Sequence, residues 1–235
     1  MKRIVLIPAL IVPLAVQTLS HHVFATSPFT EDFASSASNW ADGSGANLAN
    51  YVASGGPDGS SYASSTATGL NAADGVRMVV FRGQDEFNSS SHAFEGNWLA
   101  TGINHFRAYV RHNAPVSLPF FVRFATPSNS PGTGAEDGSL VPPNTWTQMS
   151  FDILPASINV TLFPEGPPSV FGGTFSNIGH IQIGYTVPAG FGADPNTYTF
   201  GLDQPSIFAV PEPAGWLLAI GCLATGVVRR RPRVG

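Results

Sequence analysis

The strongest constraint on the fold is a period of two. Phe106-Arg107-Ala108-Tyr109-Val110-Arg111 sets Phe106, Ala108 and Val110 on one side and polar or amphipathic residues on the other. Leu118 to Phe124 repeats the pattern through Leu118, Phe120, Val122 and Phe124. Thr147 to Ile153 does so through Met149, Phe151 and Ile153. His180 to Tyr185 places Ile181, Ile183 and Tyr185 together, and Tyr198 to Asp203 places Tyr198, Phe200 and Leu202 together. Successive side chains of a strand point to opposite faces, so each run predicts a strand with one dry and one wet side. Val76 to Phe81 adds a run rich in strand formers. Gly, Pro, Ser and Asn punctuate these runs, and amphipathic helical periodicity is scarce. The expectation is an all-β domain, a two-sheet antiparallel β-sandwich. Ser54 to Ser60 reads as a turn. Thr126 to Asn144, rich in Pro, Gly and acids, reads as a long loop. No internal repeat suggests a propeller or solenoid.

Two apolar segments bracket that domain. Residues 1–25 read as a secretory signal peptide: Lys2 and Arg3, an apolar run from Ile4 to Val16, and Val23-Phe24-Ala25 at the cleavage position. The mature chain then begins at Thr26. The Sec translocon and signal peptidase are the partners this implies. At the other end, residues 210–235 hold Pro211, Glu212 and Pro213, an uncharged run over 214–228, and Arg229, Arg230, Arg231 and Arg233. As a helix, that run rises about 1.5 Å per residue, close to the ~30 Å hydrocarbon core once Trp216 and the arginine stems reach the interfaces. Arginines directly behind an apolar span stay on the cytoplasmic side, which leaves residues 26–209 outside.

The ordered set of Pro211-Glu212-Pro213, apolar run and Arg229 to Arg231 resembles the PEP-CTERM sorting signal of Gram-negative bacteria that make extracellular polysaccharide. The resemblance implies processing by an exosortase, a transient stay in the inner membrane, and delivery to the cell surface or extracellular matrix.

Composition fits that destination. Between the two ends there is no lysine; five arginines face fourteen acidic residues, a formal balance of −9 that the whole-chain value of −4 conceals. Such a surface repels nucleic acid and attracts divalent cations. The single cysteine, Cys222, lies in the tail, so the exported domain has no disulfide.

Four stretches, Phe29-Thr30-Glu31-Asp32-Phe33 with Trp40, Gly55 to Tyr62, Asn144-Thr145-Trp146, and Leu202-Asp203-Gln204, resemble the jelly-roll sandwich of carbohydrate-binding modules and related galactose-binding-like domains. The resemblance implies a structural Ca²⁺ where the first and last strands approach, with Glu31 or Asp32 and Asp203 as ligands. The bland reading of Asp203 is a solvent-facing acid before Pro205. Sugar binding needs exposed aromatics flanked by polar groups. Trp98, behind Glu95-Gly96-Asn97, is the first candidate, with Tyr51 and Tyr62 behind it; the competing reading makes Trp98 and Trp40 core residues.

An enzyme is not indicated. The adjacent acids Asp85-Glu86 and Glu136-Asp137 would point to opposite faces of a strand and read as solvated. There is no G-x-S-x-G elbow and no H-E-x-x-H motif. His105 and His112 fall on opposite faces of one strand, and His92 and His180 stand isolated. The expected role is that of a non-enzymatic structural or adhesive protein in exopolysaccharide or biofilm. The alternatives are a calcium-dependent carbohydrate-binding module, or a secreted polysaccharide hydrolase or lyase with Glu95, Arg107 and His105 converging in a groove.

Overall fold

The computed structural model describes residues 27–68, 72–155, 161–164 and 170–210. The signal segment, the PEP tripeptide, the 214–228 run and Arg229 to Arg231 lie outside the described residues. Among the described residues no helix is long and apolar enough to cross a membrane.

Among the described residues, twelve strands form two antiparallel sheets. They are β1 (Phe29–Thr30), β2 (Ala41–Asp42), β3 (Asn50–Val52), β4 (Tyr62–Thr68), β5 (Arg77–Gln84), β6 (His105–His112), β7 (Leu118–Ala125), β8 (Gly132–Val141), β9 (Thr147–Asp152), β10 (Thr161–Pro164), β11 (His180–Thr186) and β12 (Thr197–Phe208). The first sheet runs β3-β4-β12-β6-β9, with β1 also on β12; the second runs β10-β8-β7-β11-β5-β2. The chain stays within one sheet at β3–β4, β7–β8 and β10–β11 and crosses between sheets at every other connection, which is the winding of a jelly-roll sandwich. The expected all-β, two-sheet fold is the one observed.

The alternating runs supply the interior. Phe106, Ala108 and Val110 of β6, Leu118, Phe120, Val122 and Phe124 of β7, Met149 and Phe151 of β9, and Ile181, Ile183 and Tyr185 of β11 are all buried. Aromatic rings meet across the layer: Tyr185 stacks on Phe200 at 5.4 Å, and Phe106 meets Phe124 edge-on at 5.5 Å. Tyr198 lies only at the margin of this core.

Two readings need correction. Residues 126–144 are not one loop, because Gly132–Val141 is a ten-residue strand. It pairs with β7 on one side and β10 on the other, and Thr133 and Ala135 point inward. Pairing on both sides overrides the low strand propensity of its glycines and acids. The second correction is Trp98, which is no exposed platform. It opens the short helix α1 (Trp98–Thr101), capped by Asn97, whose side chain accepts from the Ala100 amide at 2.9 Å. Its indole is fully buried against Phe124 and Phe175, and its N–H donates to the Phe94 carbonyl at 2.9 Å. Trp40 is buried too, donating to Ser90 Oγ at 2.9 Å.

His105 and His112 do fall on opposite faces of β6, with His112 buried between Phe120 and Phe200. Burial holds the His112 imidazole below its ordinary pKa. The unfolded chain therefore binds that proton more tightly than the folded one. The resulting stability is complete above the unfolded value of about 6.5 and is lost as pH falls from there through the lowered folded value.

Two outcomes follow for denaturant titrations. Trp98→Ala lowers unfolding free energy by about 3–5 kcal/mol, as expected for a buried Trp. His112→Phe flattens the loss of stability between pH 7 and pH 5 relative to wild type.

Candidate functional site

The acidic corner arises from how β12 is shared. Its first half pairs with β4, from Thr197 to Leu202, and its last part pairs with β1 at Ser206 and Ile207. The register shifts between Asp203 and Ser206, where Gln204 has a positive φ of 48°. This irregularity lies beside the end of β1, and the Glu31 amide donates to the Pro205 carbonyl at 3.0 Å. Glu31 and Asp203 therefore both belong to the junction of first and last strands.

Asp203 leaves the Leu202 face, as its position in the alternation requires, yet it is fully buried rather than solvent-facing. The turn over residues 55–61 covers it. Ser60 Oγ donates to Asp203 Oδ2 at 2.5 Å, and the Gln204 amide donates to Oδ1 at 2.8 Å. Gly56 makes the fit possible, because a Cβ there would stand 2.5 Å from Asp203 Oδ2. Burial, with Asp58 and Asp32 adding to it, pushes the Asp203 carboxyl above its ordinary pKa. Glu31 is buried and accepts the Phe33 amide at 2.9 Å, whereas Asp32 is exposed and caps the Ala34 amide at 3.0 Å. The donors at this corner are hard oxygens, and the two buried carboxylates accept from hydroxyl and amide donors. That chemistry suits Ca²⁺, with Glu31 and Asp203 as the carboxylates and Asp32 peripheral.

The aromatic candidates are not brought together. Trp98 is core. Tyr51, 40% exposed, stands opposite Ala63 on the edge strand β3, and its hydroxyl donates to the Ala34 carbonyl at 3.4 Å. Tyr62 projects to the other face of the first sheet. There it meets Trp146 edge-on, ring centres 5.1 Å apart, and the Trp146 N–H donates to the Gly55 carbonyl at 2.7 Å. The floor beneath them is Gly201, where a Cβ would come within 2.7 Å of the Trp146 ring. Beside this pair opens a cleft of about 280 Å³, lined by Tyr62, Arg111, Asn113, Asn144, Thr199 and Gly201, among others. In the sequence Trp146 stands out only as part of Asn144-Thr145-Trp146, one of the stretches that resemble a jelly-roll sandwich. The signal for its role was a Gly in β12 facing outward, at a position where a side chain would be tolerated unless something lay flat on it.

The acid pairs behave differently from their strand reading. Asp85 and Glu86 open a 3₁₀ turn over Asp85–Phe87, not a strand, so adjacent side chains can converge. Both reach His180, which is neither isolated nor solvated: its Nε2 lies 3.2 Å from Asp85 Oδ1 and 3.1 Å from Glu86 Oε2. His92 likewise pairs with Glu95 at 2.8 Å, and His105 with Asp152 at 2.8 Å. Glu136, on β8, accepts from Thr186 Oγ1 at 2.6 Å and pairs with Arg77. The groove of Glu95, Arg107 and His105 is not formed: Arg107 lies 5.1 Å over the Phe208 ring at the end of the first sheet, while Glu95 turns to His92.

No protein-family model and no curated protein matches the sequence. Solved structures with a similar course include the CBM22-1–GH10 modules of xylanase 10B from Clostridium thermocellum complexed with xylohexaose. That match has 12% identity and a TM-score of 0.46, covering 78% of this chain and 28% of that one. A putative glycoside hydrolase from Bacteroides thetaiotaomicron matches at 11% identity and a TM-score of 0.34, over 70% of this chain and 57% of the other. The L4b domain of human laminin alpha-2 matches at 12% identity and a TM-score of 0.32, over 63% and 98%. This chain thus spans well under two thirds of the first two. Likenesses this distant carry nothing about ligand or activity.

Asp203→Asn separates the structural from the metal-binding role. Without added metal the variant melts at or slightly above wild type, because a buried charge is removed and the amide keeps the Gln204 bond. A Ca²⁺ ion bound at this corner, at about 100 times its dissociation constant, would stabilise wild type by about 2.7 kcal/mol and leave the variant unchanged; equal response of the two would place no ion on Asp203.

Proposed function

We propose that this is an exported, non-enzymatic surface or matrix protein that contacts extracellular polysaccharide through the Tyr62–Trp146 face of its sandwich. The observation that carries this reading is the Trp146 ring laid over Gly201 beside a polar cleft. A pyranose has apolar C–H faces and a rim of hydroxyls. An aromatic platform with Arg111, Asn113, Asn144 and Thr199 around it offers both kinds of contact. The acidic, lysine-free domain is unsuited to nucleic acid.

Its address is supplied by its ends. Signal peptidase removes residues 1–25, the 214–228 run halts the chain in the inner membrane with Arg229 to Arg231 inside, and an exosortase acts at the Pro211-Glu212-Pro213 signal. Glu31 and Asp203 hold a structural Ca²⁺ that pins the first strand to the last. Bound there, the ion supplies charge neutralisation, not chemistry.

Affinity electrophoresis in the host's own exopolysaccharide tests the contact. Wild type is retarded. Trp146→Ala weakens binding about tenfold or more, a loss of roughly 1.4 kcal/mol. Tyr51→Ala, on the other face, leaves it unchanged. Equal retardation of wild type and a correctly folded Trp146→Ala variant would refute the platform.

A further inference from the structure

The cluster at the far end of the second sheet has a geometry that the polysaccharide reading does not use. We propose that Asp85, Glu86 and His180 form a binding site for a divalent transition-metal ion of the Zn²⁺ class, with one coordination position left open to a cleft.

Three observations converge on this. The first is the donor set. One oxygen from each carboxylate and one imidazole nitrogen lie within 4.8 Å of one another. The two nitrogen-to-oxygen separations, 3.2 and 3.1 Å, are close to the edge of a tetrahedron with bonds of about 2.0–2.1 Å, roughly 3.3 Å. An imidazole among carboxylates favours Zn²⁺, Co²⁺ or Ni²⁺ over Ca²⁺, whose ligands are oxygens. The second observation is a mismatch of donors and acceptors. His180 Nε2 carries at most one proton, yet two carboxylates aim at it. One proton serves one acceptor well; a divalent cation serves both and balances their charge.

The third is the support behind the ligands. His180 is 4% exposed, on β11 directly opposite Gln84 of β5. Gln84 is buried, its side-chain Nε2 lies 3.2 Å from His180 Nδ1, and its backbone N–H donates to Ser89 Oγ at 3.0 Å. Binding a metal through Nε2 requires the Gln84 amide to turn over, so that its oxygen accepts from Nδ1–H and Nε2 presents a lone pair outward. That is how a metal-bound imidazole is normally oriented. Asp85 is fixed in turn by its backbone N–H, which donates to the Gly179 carbonyl at 3.0 Å. His180 and Glu86 also line a cleft of about 290 Å³ with Arg82, Phe87 and Asn129. A fourth ligand, water in the simplest case, can enter from that side. The Arg82 guanidinium interacts with Glu86 from the same cleft, while its Nε donates to the Gly43 carbonyl at 2.8 Å.

The test uses the full-length chain in detergent, stripped of metal, titrated with Co²⁺ and with Zn²⁺. Visible cobalt absorption at one equivalent, displaced by Zn²⁺, is expected. Glu86→Gln, isosteric and at the half-exposed ligand, should weaken binding by at least about tenfold without disturbing the fold. Gln84→Leu should weaken it by about 10–100-fold through the imidazole's orientation. His105→Ala, at the unrelated His105–Asp152 pair, should leave it unchanged. Absence of stoichiometric binding, or binding equal in wild type and Glu86→Gln, would overturn the proposal and leave a hydrogen-bonded acid–imidazole triad only.

Discussion

No covalent cross-link joins the two sheets, because the only cysteine is Cys222 in the tail. What joins them is the burial of one aromatic layer: Phe106, Phe120, Phe124, Phe151, Phe200 and Tyr185 alternate inward from five different strands and meet ring to ring. Trp40 and Trp98 close the open end of that layer, each with its indole N–H satisfied. Every feature on the outside depends on this inside, since a strand that commits one side chain to the core commits the next to the surface. Gly201 faces out because Phe200 and Leu202 face in. Asp203 should face out for the same reason, and the bulge after it turns that outward position into a covered one.

The outer surfaces of the two sheets then differ in chemistry. The first carries an aromatic platform and, at the β1–β12 corner, buried oxygen donors. The second carries a cross-strand row of Arg82, Gln182 and Arg123, in register on β5, β11 and β7. In the next row on the same face, between Gln84 and Ala125, stands His180 with its carboxylates. Gln182 is buried here because its neighbours satisfy it: it accepts from Arg123 at 3.2 Å and donates to Asn129 Oδ1 at 3.3 Å.

The period of two made the interior legible in the sequence, down to Met149, Phe151, Ile181 and Ile183 by number. It failed where pairing, not pattern, decides. The Gly- and acid-rich stretch 132–141 becomes a strand because β7 and β10 both offer partners. It failed again at Asp85-Glu86, where the strand rule that adjacent residues diverge does not apply to a 3₁₀ turn. Trp98 illustrates a third limit. Small and polar residues before it, Glu95-Gly96-Asn97, say that the backbone is near the surface, and nothing about where a large ring goes. The acidic corner was readable only as an expectation about Glu31 and Asp203. That the residue 55–61 turn would seal Asp203 against solvent depends on Gly56, a contact made across 147 positions of sequence.

The proposed export depends on two apolar ends that would carry an acidic sandwich out of the cell and then be removed. Mass spectrometry of the native protein from the extracellular fraction reads both ends at once. The account predicts an N-terminus at Thr26 and a C-terminus without Arg229 to Arg233. A chain recovered there with its C-terminus intact through Arg233, or a chain confined to the cytosol with Met1 retained, would contradict it.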